Sequence, residues 1–185
     1  MKKMIFAVSC VALALAAITG TAAAQSADAP EAIVYDAQSA LEAIKSFEGD
    51  WVREDAGTEH GANTPVASYK VTAAGSAIVL TSGADTPMEM ATIFHMDGDQ
   101  LLQTHYCALM NAPVLRFEPS DIPGELNFVF HGGTNLDAAV DAHYHKGSYW
   151  IKDKDTIDAS FVVFANGEMS SDGRGIMKRA KTSSN

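Results

Sequence analysis

Residues 88–107 read MEMATIFHMDGDQLLQTHYC, and this stretch decides the fold class. Apolar and polar side chains alternate on both sides of Asp97-Gly98, as they do in β-strands that bury one face. Asp-Gly is a strong hairpin signal because the tight turn needs positive φ at both central positions. The stretch therefore predicts an antiparallel hairpin with residues 88–96 and 101–107 as its arms.

The more apolar face of this hairpin is expected to point into the protein. That face carries Met88, Met90, Thr92, Phe94, Met96, Leu101, Gln103, His105 and Cys107. Because an even-length loop fixes which positions pair, a two-residue turn at Asp97-Gly98 would place Met90 opposite His105 and Met88 opposite Cys107.

The same alternation continues along the chain, in runs bounded by turn residues about every ten residues. The other predicted strands are 50–53, 66–73, 76–81, 114–117, 126–131, 142–152, 156–165 and 168–177, with breaks that include Asn111-Ala112-Pro113, Gly132-Gly133 and Asp153-Lys154. One short helix is predicted over residues 36–47, capped by Asp36. The pattern predicts an all-β fold, an antiparallel up-and-down barrel of 8–10 strands, with a β-sandwich as the alternative.

The two ends of the chain have a different composition. Lys2 and Lys3, an apolar stretch and then Ala22-Ala23-Ala24 follow the order of a secretory signal peptide. We therefore predict a signal peptide over residues 1–24, a flexible leader over 25–35, a barrel domain over 36–180 and a tail over 181–185. The mature protein is predicted to be periplasmic or secreted, with no membrane insertion after cleavage.

Charge and cysteine content restrict the partners. The net charge is −10 at pH 7, which repels nucleic acid and anionic lipid, so neither is predicted as a partner. Cleavage after Ala24 would leave Cys107 alone, so no disulfide can form within the mature chain. We expect a monomer or a weak oligomer whose stability comes from packing.

Two stretches resemble a known family. Phe47-Glu48-Gly49-Asp50-Trp51 is similar to the opening of a lipocalin-like (calycin-type) barrel, where a short helix leads into a strand whose Trp plugs the barrel floor. The stretch from Thr86-Pro87 through Thr104-His105-Tyr106-Cys107 to Asn111-Ala112-Pro113 resembles a lipocalin-like family of secreted bacterial proteins. The resemblance implies a barrel over about residues 41–178 and implies no activity.

The interior face of the hairpin supplies the candidate binding site. We predict that Met90, Phe94, Leu101, Gln103, His105 and Cys107 bind a small apolar molecule inside the barrel, with the polar members orienting it. A barrel filled by its own side chains is left open. No catalytic motif is present, so catalytic residues are not predicted and a binding protein is favoured over an enzyme.

A metal or haem site is the alternative, although no cofactor is predicted. His105 with Met90 or Cys107 offers the soft ligands that suit haem iron or copper(I). His143 and His145 form a His-x-His pair, which metal sites often use. With a two-residue turn at Asp153-Lys154, Trp150 and Tyr144 would face the interior and both histidines the exterior, unless a bulge reverses the faces.

Overall fold

The computed structural model describes residues 33–54 and 64–181. The predicted signal peptide, most of the predicted leader and residues 182–185 lie outside this part of the chain. Within the described residues, ten antiparallel strands follow one α-helix and close into a barrel in which each strand pairs with its neighbours in sequence and β1 pairs with β10. The prediction of an antiparallel up-and-down barrel with one short N-terminal helix is confirmed.

The secondary-structure elements lie close to the predicted runs. The helix α1 spans Ala37–Lys45, and the strands are β1 Gly49–Arg53, β2 Ala67–Thr72, β3 Ala77–Ser82, β4 Met90–Asp97, β5 Gln100–Tyr106, β6 Ala112–Glu118, β7 Glu125–Thr134, β8 His143–Asp153, β9 Thr156–Ala165 and β10 Glu168–Arg179.

The helix begins at the predicted cap. The Ser39 N–H donates to the Asp36 carboxylate at 2.7 Å, and the Asp36 N–H donates to the Ser39 hydroxyl at 2.9 Å. This reciprocal pair satisfies amide groups that the first turn leaves without partners. Leu41 and Ile44 on the opposite side are buried in the core.

The central hairpin has the predicted faces and a different register. Thr92 pairs with His105, and Asp97 pairs with Gln100, so the turn residues are Gly98 and Asp99. The expected pairing of Met90 with His105, and with it that of Met88 with Cys107, was therefore wrong by two residues. Because side chains alternate with a period of two, a shift of two leaves every side chain on its predicted face.

The β8–β9 hairpin corrects the predicted position of Trp150. Its turn lies at residues 154–155, and irregularities after Ile151 and Tyr144 shift the register twice. The first shift moves Trp150 to the outer face beside Asp158, where the Arg174 guanidinium lies 4.3 Å above the indole ring. The second shift keeps Tyr144 on the inner face. The prediction that both aromatic residues face inward was wrong for Trp150.

Two predicted breaks lie inside strands. Pro113 belongs to β6 and pairs with Gly133 in β7, outside the segment where β6 pairs with β5. Gly132, with φ of 149°, follows a bulge that separates its pairing with Val114 from that of Phe130 with Leu115. Glycine accepts this φ without strain, so the strand continues through the bulge.

Apolar side chains fill the end of the barrel next to α1. Trp51 is fully buried there, and Phe47, Phe94, Leu115 and Phe128 belong to the same buried cluster. The Phe47 ring lies edge-on to the Trp51 ring, with centroids 6.1 Å apart. Within the described residues, none of the helices combines the length and the apolar character that a membrane crossing requires.

Candidate functional site

A cavity of about 590 Å³ occupies the other end of the barrel interior. Its walls include Cys107 and Leu109 from the β5–β6 loop, Met88 from the β3–β4 loop and Ala142 from the β7–β8 loop. Successive connections of an up-and-down barrel lie at alternate ends, so these loops are at the end opposite the β4–β5 turn. The helix α1 packs against β4 and β5. The cavity therefore opens away from the helix, and the exposed side chains of Met88, Leu109 and Phe161 lie at its mouth.

Two tyrosines separate the cavity from the packed core. Tyr69 and Tyr149 line the cavity and are themselves buried. The ring of Phe47 in the core lies 5.4 Å from that of Tyr69 and 6.3 Å from that of Tyr149, centroid to centroid. Burial raises the pKa of both phenols, so both remain neutral at physiological pH.

Gln103, Tyr144 and Tyr149 form a polar floor. Burial raises the pKa of Tyr144, and side-chain hydrogen bonds with Gln103 and Tyr149 partly oppose that effect. Gln103 is 1% exposed, and its Oε1 has no hydrogen-bond partner in the part of the chain that the structure describes. A Cβ on Gly147 would lie 1.8 Å from the Tyr144 hydroxyl. Glycine at this position therefore lets Tyr144 lie across the floor.

His105 stands beside this floor as a neutral imidazole. Its Nδ1 lies 2.8 Å from the Thr92 hydroxyl, and its ring meets the Tyr144 ring edge-on at 5.1 Å. Burial lowers the pKa of His105 to about 4, from an ordinary value of 6.5. The imidazole therefore presents hydrogen-bonding nitrogens and carries no charge at pH 7.

The depressed pKa of His105 predicts a pH dependence of stability. Above pH 6.5 the imidazole is neutral in both folded and unfolded states, whereas between pH 6.5 and about 4 only the unfolded chain binds the proton. The free energy of unfolding therefore decreases as the pH is lowered from 6.5 to about 4, by at most about 3 kcal/mol from this group. We expect His105→Gln to flatten urea-unfolding stability between pH 7 and pH 4.

The exposed His131 provides the control for this measurement. His131→Gln should keep the slope of the parent protein. Burial also lowers the pKa of His145, so part of the slope remains in both variants. An equal slope in His105→Gln and the parent would contradict the assignment of a buried, neutral His105.

His143 and His145 lie away from the cavity. His143 pairs with Phe164, next to the inward pair of Tyr144 and Val163, so alternation directs His143 outward. The His145 ring stacks on Phe164 at 3.8 Å. His143 Nδ1 lies 2.8 Å from the Asp141 carbonyl oxygen, which can only accept, so this nitrogen carries the proton.

The two imidazoles form a hydrogen bond with each other through their facing nitrogens. His143 Nε2 and His145 Nδ1 are 3.0 Å apart, within hydrogen-bonding distance. A metal bound by both nitrogens would have to replace this hydrogen bond. In the described ranges, no group of three or more His, Cys, Asp or Glu side chains is arranged to hold a metal ion.

The structure divides the six predicted binding residues into two groups. Four line the cavity, namely Met90, Gln103, His105 and Cys107. Phe94 and Leu101 lie in the buried cluster near α1 instead, because they are closer to the β4–β5 turn. The other strands also contribute to the cavity wall, and the contributions that were not predicted include those of Tyr69, Leu80, Tyr149, Ala159 and Met177. The alternation of side chains in β2, β3 and β10 could have identified their inward-facing residues, but the inward faces of those strands were not predicted.

The comparisons with known proteins add no function. The chain matches no protein-family model and no curated protein.

Proposed function

We propose that this protein is an exported lipocalin-like carrier that binds a small apolar molecule inside its barrel. The observation that carries the proposal is the cavity of about 590 Å³, within the range of about 300–1,000 Å³ typical of small-molecule sites. Its wall is mostly apolar, and Gln103 and His105 provide polar groups at and beside the floor.

Membership of the lipocalin-like family is part of this proposal. It is supported by the closed barrel, by the helix before β1 and by the burial of Trp51 at the end next to that helix. The barrel has ten strands, whereas typical lipocalins have eight. Export to the periplasm or the exterior rests on residues 1–24, and action as a monomer or weak oligomer without a cofactor is proposed with it.

A thermal-shift panel tests this function. The purified mature protein is heated with neutral fused-ring probes (naphthalene, 2-methoxynaphthalene) and linear probes (decane, decyl methyl ether). A ligand present at 100 times its Kd adds about 2.7 kcal/mol to the stability of the folded state, which corresponds to a rise in Tm of several degrees. A panel in which neither scaffold raises Tm at its solubility limit would contradict the proposal.

Haem or metal binding is the second candidate function, and one observation favours it. Met90, His105 and Cys107 line the same cavity, so thioether, imidazole and thiol groups are available to one ligand. Haemin and copper(I) are therefore titrated into the same preparation. A Soret shift or a copper-dependent rise in Tm, combined with no response to the apolar probes, would replace the carrier proposal by this one.

A further inference from the structure

The part of the cavity wall formed by the described residues carries no formal charge, and this limits the ligands it can take. Among the residues that the structure describes, no Asp, Glu, Lys or Arg side chain lines the cavity. His105 provides an imidazole in this part of the wall, and it is neutral at pH 7. An ionised carboxylate on the ligand would lose its hydration without gaining a counter-ion, which is costly in an apolar surrounding. The wall therefore disfavours fatty acids and other organic anions.

Among the described residues, the side-chain oxygen of Gln103 has no hydrogen-bond partner. Its side chain lines the cavity and is 1% exposed, and its hydrogen bonds with Tyr144 and Tyr149 leave Oε1 without a partner in the described residues. A buried carbonyl oxygen that gives up water and gains no donor destabilises the protein. Oε1 can only accept, so the group that would satisfy it is an O–H or N–H donor on the ligand.

The position of Gln103 makes a terminal donor the best fit. Gln103 lies at the floor, next to the packed core that begins at Tyr149, while the mouth is formed by Met88, Leu109 and Phe161. A ligand that enters through this mouth can bring one end to the floor. His105 lies two residues farther along the same face of β5 and offers a second neutral hydrogen-bonding group beside it.

We propose that the ligand is an uncharged apolar molecule with a hydroxyl group, and that this hydroxyl donates to Gln103 Oε1 at the floor of the cavity. The inference rests on the proposed carrier function and specifies its ligand class. It separates alcohols and phenols, which can donate while neutral, from ethers, which cannot donate, and from carboxylates, which are charged at pH 7.

Matched ligand series test the proposal on the unmodified mature protein. The fused-ring series is 2-naphthol, 2-methoxynaphthalene and 2-naphthoate, and the linear series is 1-decanol, decyl methyl ether and decanoate. Binding is measured at pH 7 by titration calorimetry or equilibrium dialysis. We expect the hydroxyl compound of at least one series to bind about tenfold more tightly than its ether, since a hydrogen bond to an otherwise unsatisfied buried group has that order of effect. The carboxylate is expected to bind most weakly.

A pair of variants tests whether the tighter binding of the hydroxyl compound depends on Gln103. Gln103→Leu removes the acceptor and should bring the hydroxyl and ether compounds to equal affinity. Gln100→Leu makes the same chemical change at an exposed position on the same strand, and it should keep the tenfold preference. The ligand series on the parent protein remains decisive if Gln103→Leu does not fold.

The outcomes separate the two proposals. Failure of every compound of both series to bind would remove the carrier function itself. Ethers that bind as tightly as the hydroxyl compounds would leave the carrier function standing and overturn the hydroxyl inference. Carboxylates that bind most tightly, or a preference that survives in Gln103→Leu, would also overturn it.

Discussion

Replacement of Trp51 by alanine is expected to lower the free energy of unfolding by about 3–5 kcal/mol, the usual cost of deleting a buried aromatic side chain. Trp51 is 0% exposed, and its Nε1–H donates to the Phe47 carbonyl at 2.7 Å. The change would leave a void at the base of the barrel and remove this hydrogen bond. A loss of this size is a large part of the stability of a single domain.

The Trp51 indole also supports the closure of the barrel. The Arg179 guanidinium lies 4.5 Å above its ring, and it donates to the Glu48 carbonyl at 2.7 Å and to the Ser46 carbonyl at 3.0 Å. These contacts join β10 to the segment between α1 and β1, where the last strand meets the first. Trp51→Ala removes the surface on which Arg179 rests, so the destabilisation should fall at the upper part of the stated range.

Trp150 is the matched control for Trp51. It lies on the outer face under the guanidinium of Arg174, so Trp150→Ala is expected to cost only about 1 kcal/mol, the order of an exposed cation–π contact and some apolar area. Urea unfolding followed by far-ultraviolet circular dichroism measures both variants. Equal destabilisation by the two changes would contradict the register of β8 and β9.

Replacement of Ala159 by tryptophan is expected to abolish ligand binding while the barrel remains folded. Ala159 pairs with Tyr149 and lines the cavity, so an indole at this position would occupy the space above the floor. Because the space is a cavity and not packed core, we expect a change in stability of at most about 1–3 kcal/mol. The affinity for the neutral probes is expected to fall by more than about 100-fold, because the loss of burial and steric overlap together exceed about 2.7 kcal/mol.

Ala91 provides the control for this variant. It pairs with Tyr106 on β5 and is not part of the cavity wall, so Ala91→Trp adds the same side chain to the outer face. Dissociation constants of the two variants are compared with that of the parent protein, and circular dichroism checks the fold. Unchanged affinity in a folded Ala159→Trp would place the ligand outside the barrel.

The faces of the central hairpin could be predicted because alternation is a local property. Met90, Gln103, His105 and Cys107 line the cavity as expected, although the turn was misplaced. The register error was even, so it changed the cross-strand partners and preserved the faces. The same reasoning failed at Trp150 because one irregularity in β8 exchanges the inward and outward faces for all residues of the strand on one side of it.

The division of the interior into core and cavity could not be predicted from alternation. Phe94 and Gln103 pair with each other on the same face, yet Phe94 belongs to the buried cluster and Gln103 to the cavity wall. Whether an inward-facing residue belongs to the core or to the cavity wall depends on its height along the barrel and on where α1 and its aromatic neighbours end. That boundary is formed by Phe47, Tyr69 and Tyr149, which are distant in sequence.

By itself, the sequence determined the class of fold, a range of eight to ten strands with their approximate bounds, and the inward face of the central hairpin. These follow from interactions between residues near in sequence, namely side-chain alternation, turn chemistry and the Asp36 cap. Only the tertiary structure decided that, within the described residues, the cavity wall is uncharged above a polar floor and Gln103 Oε1 has no partner. It also decided that His143 and His145 bond to each other away from the cavity. Those properties depend on closure of β1 against β10 and on two bulges, which set distances between side chains that the order of residues leaves open.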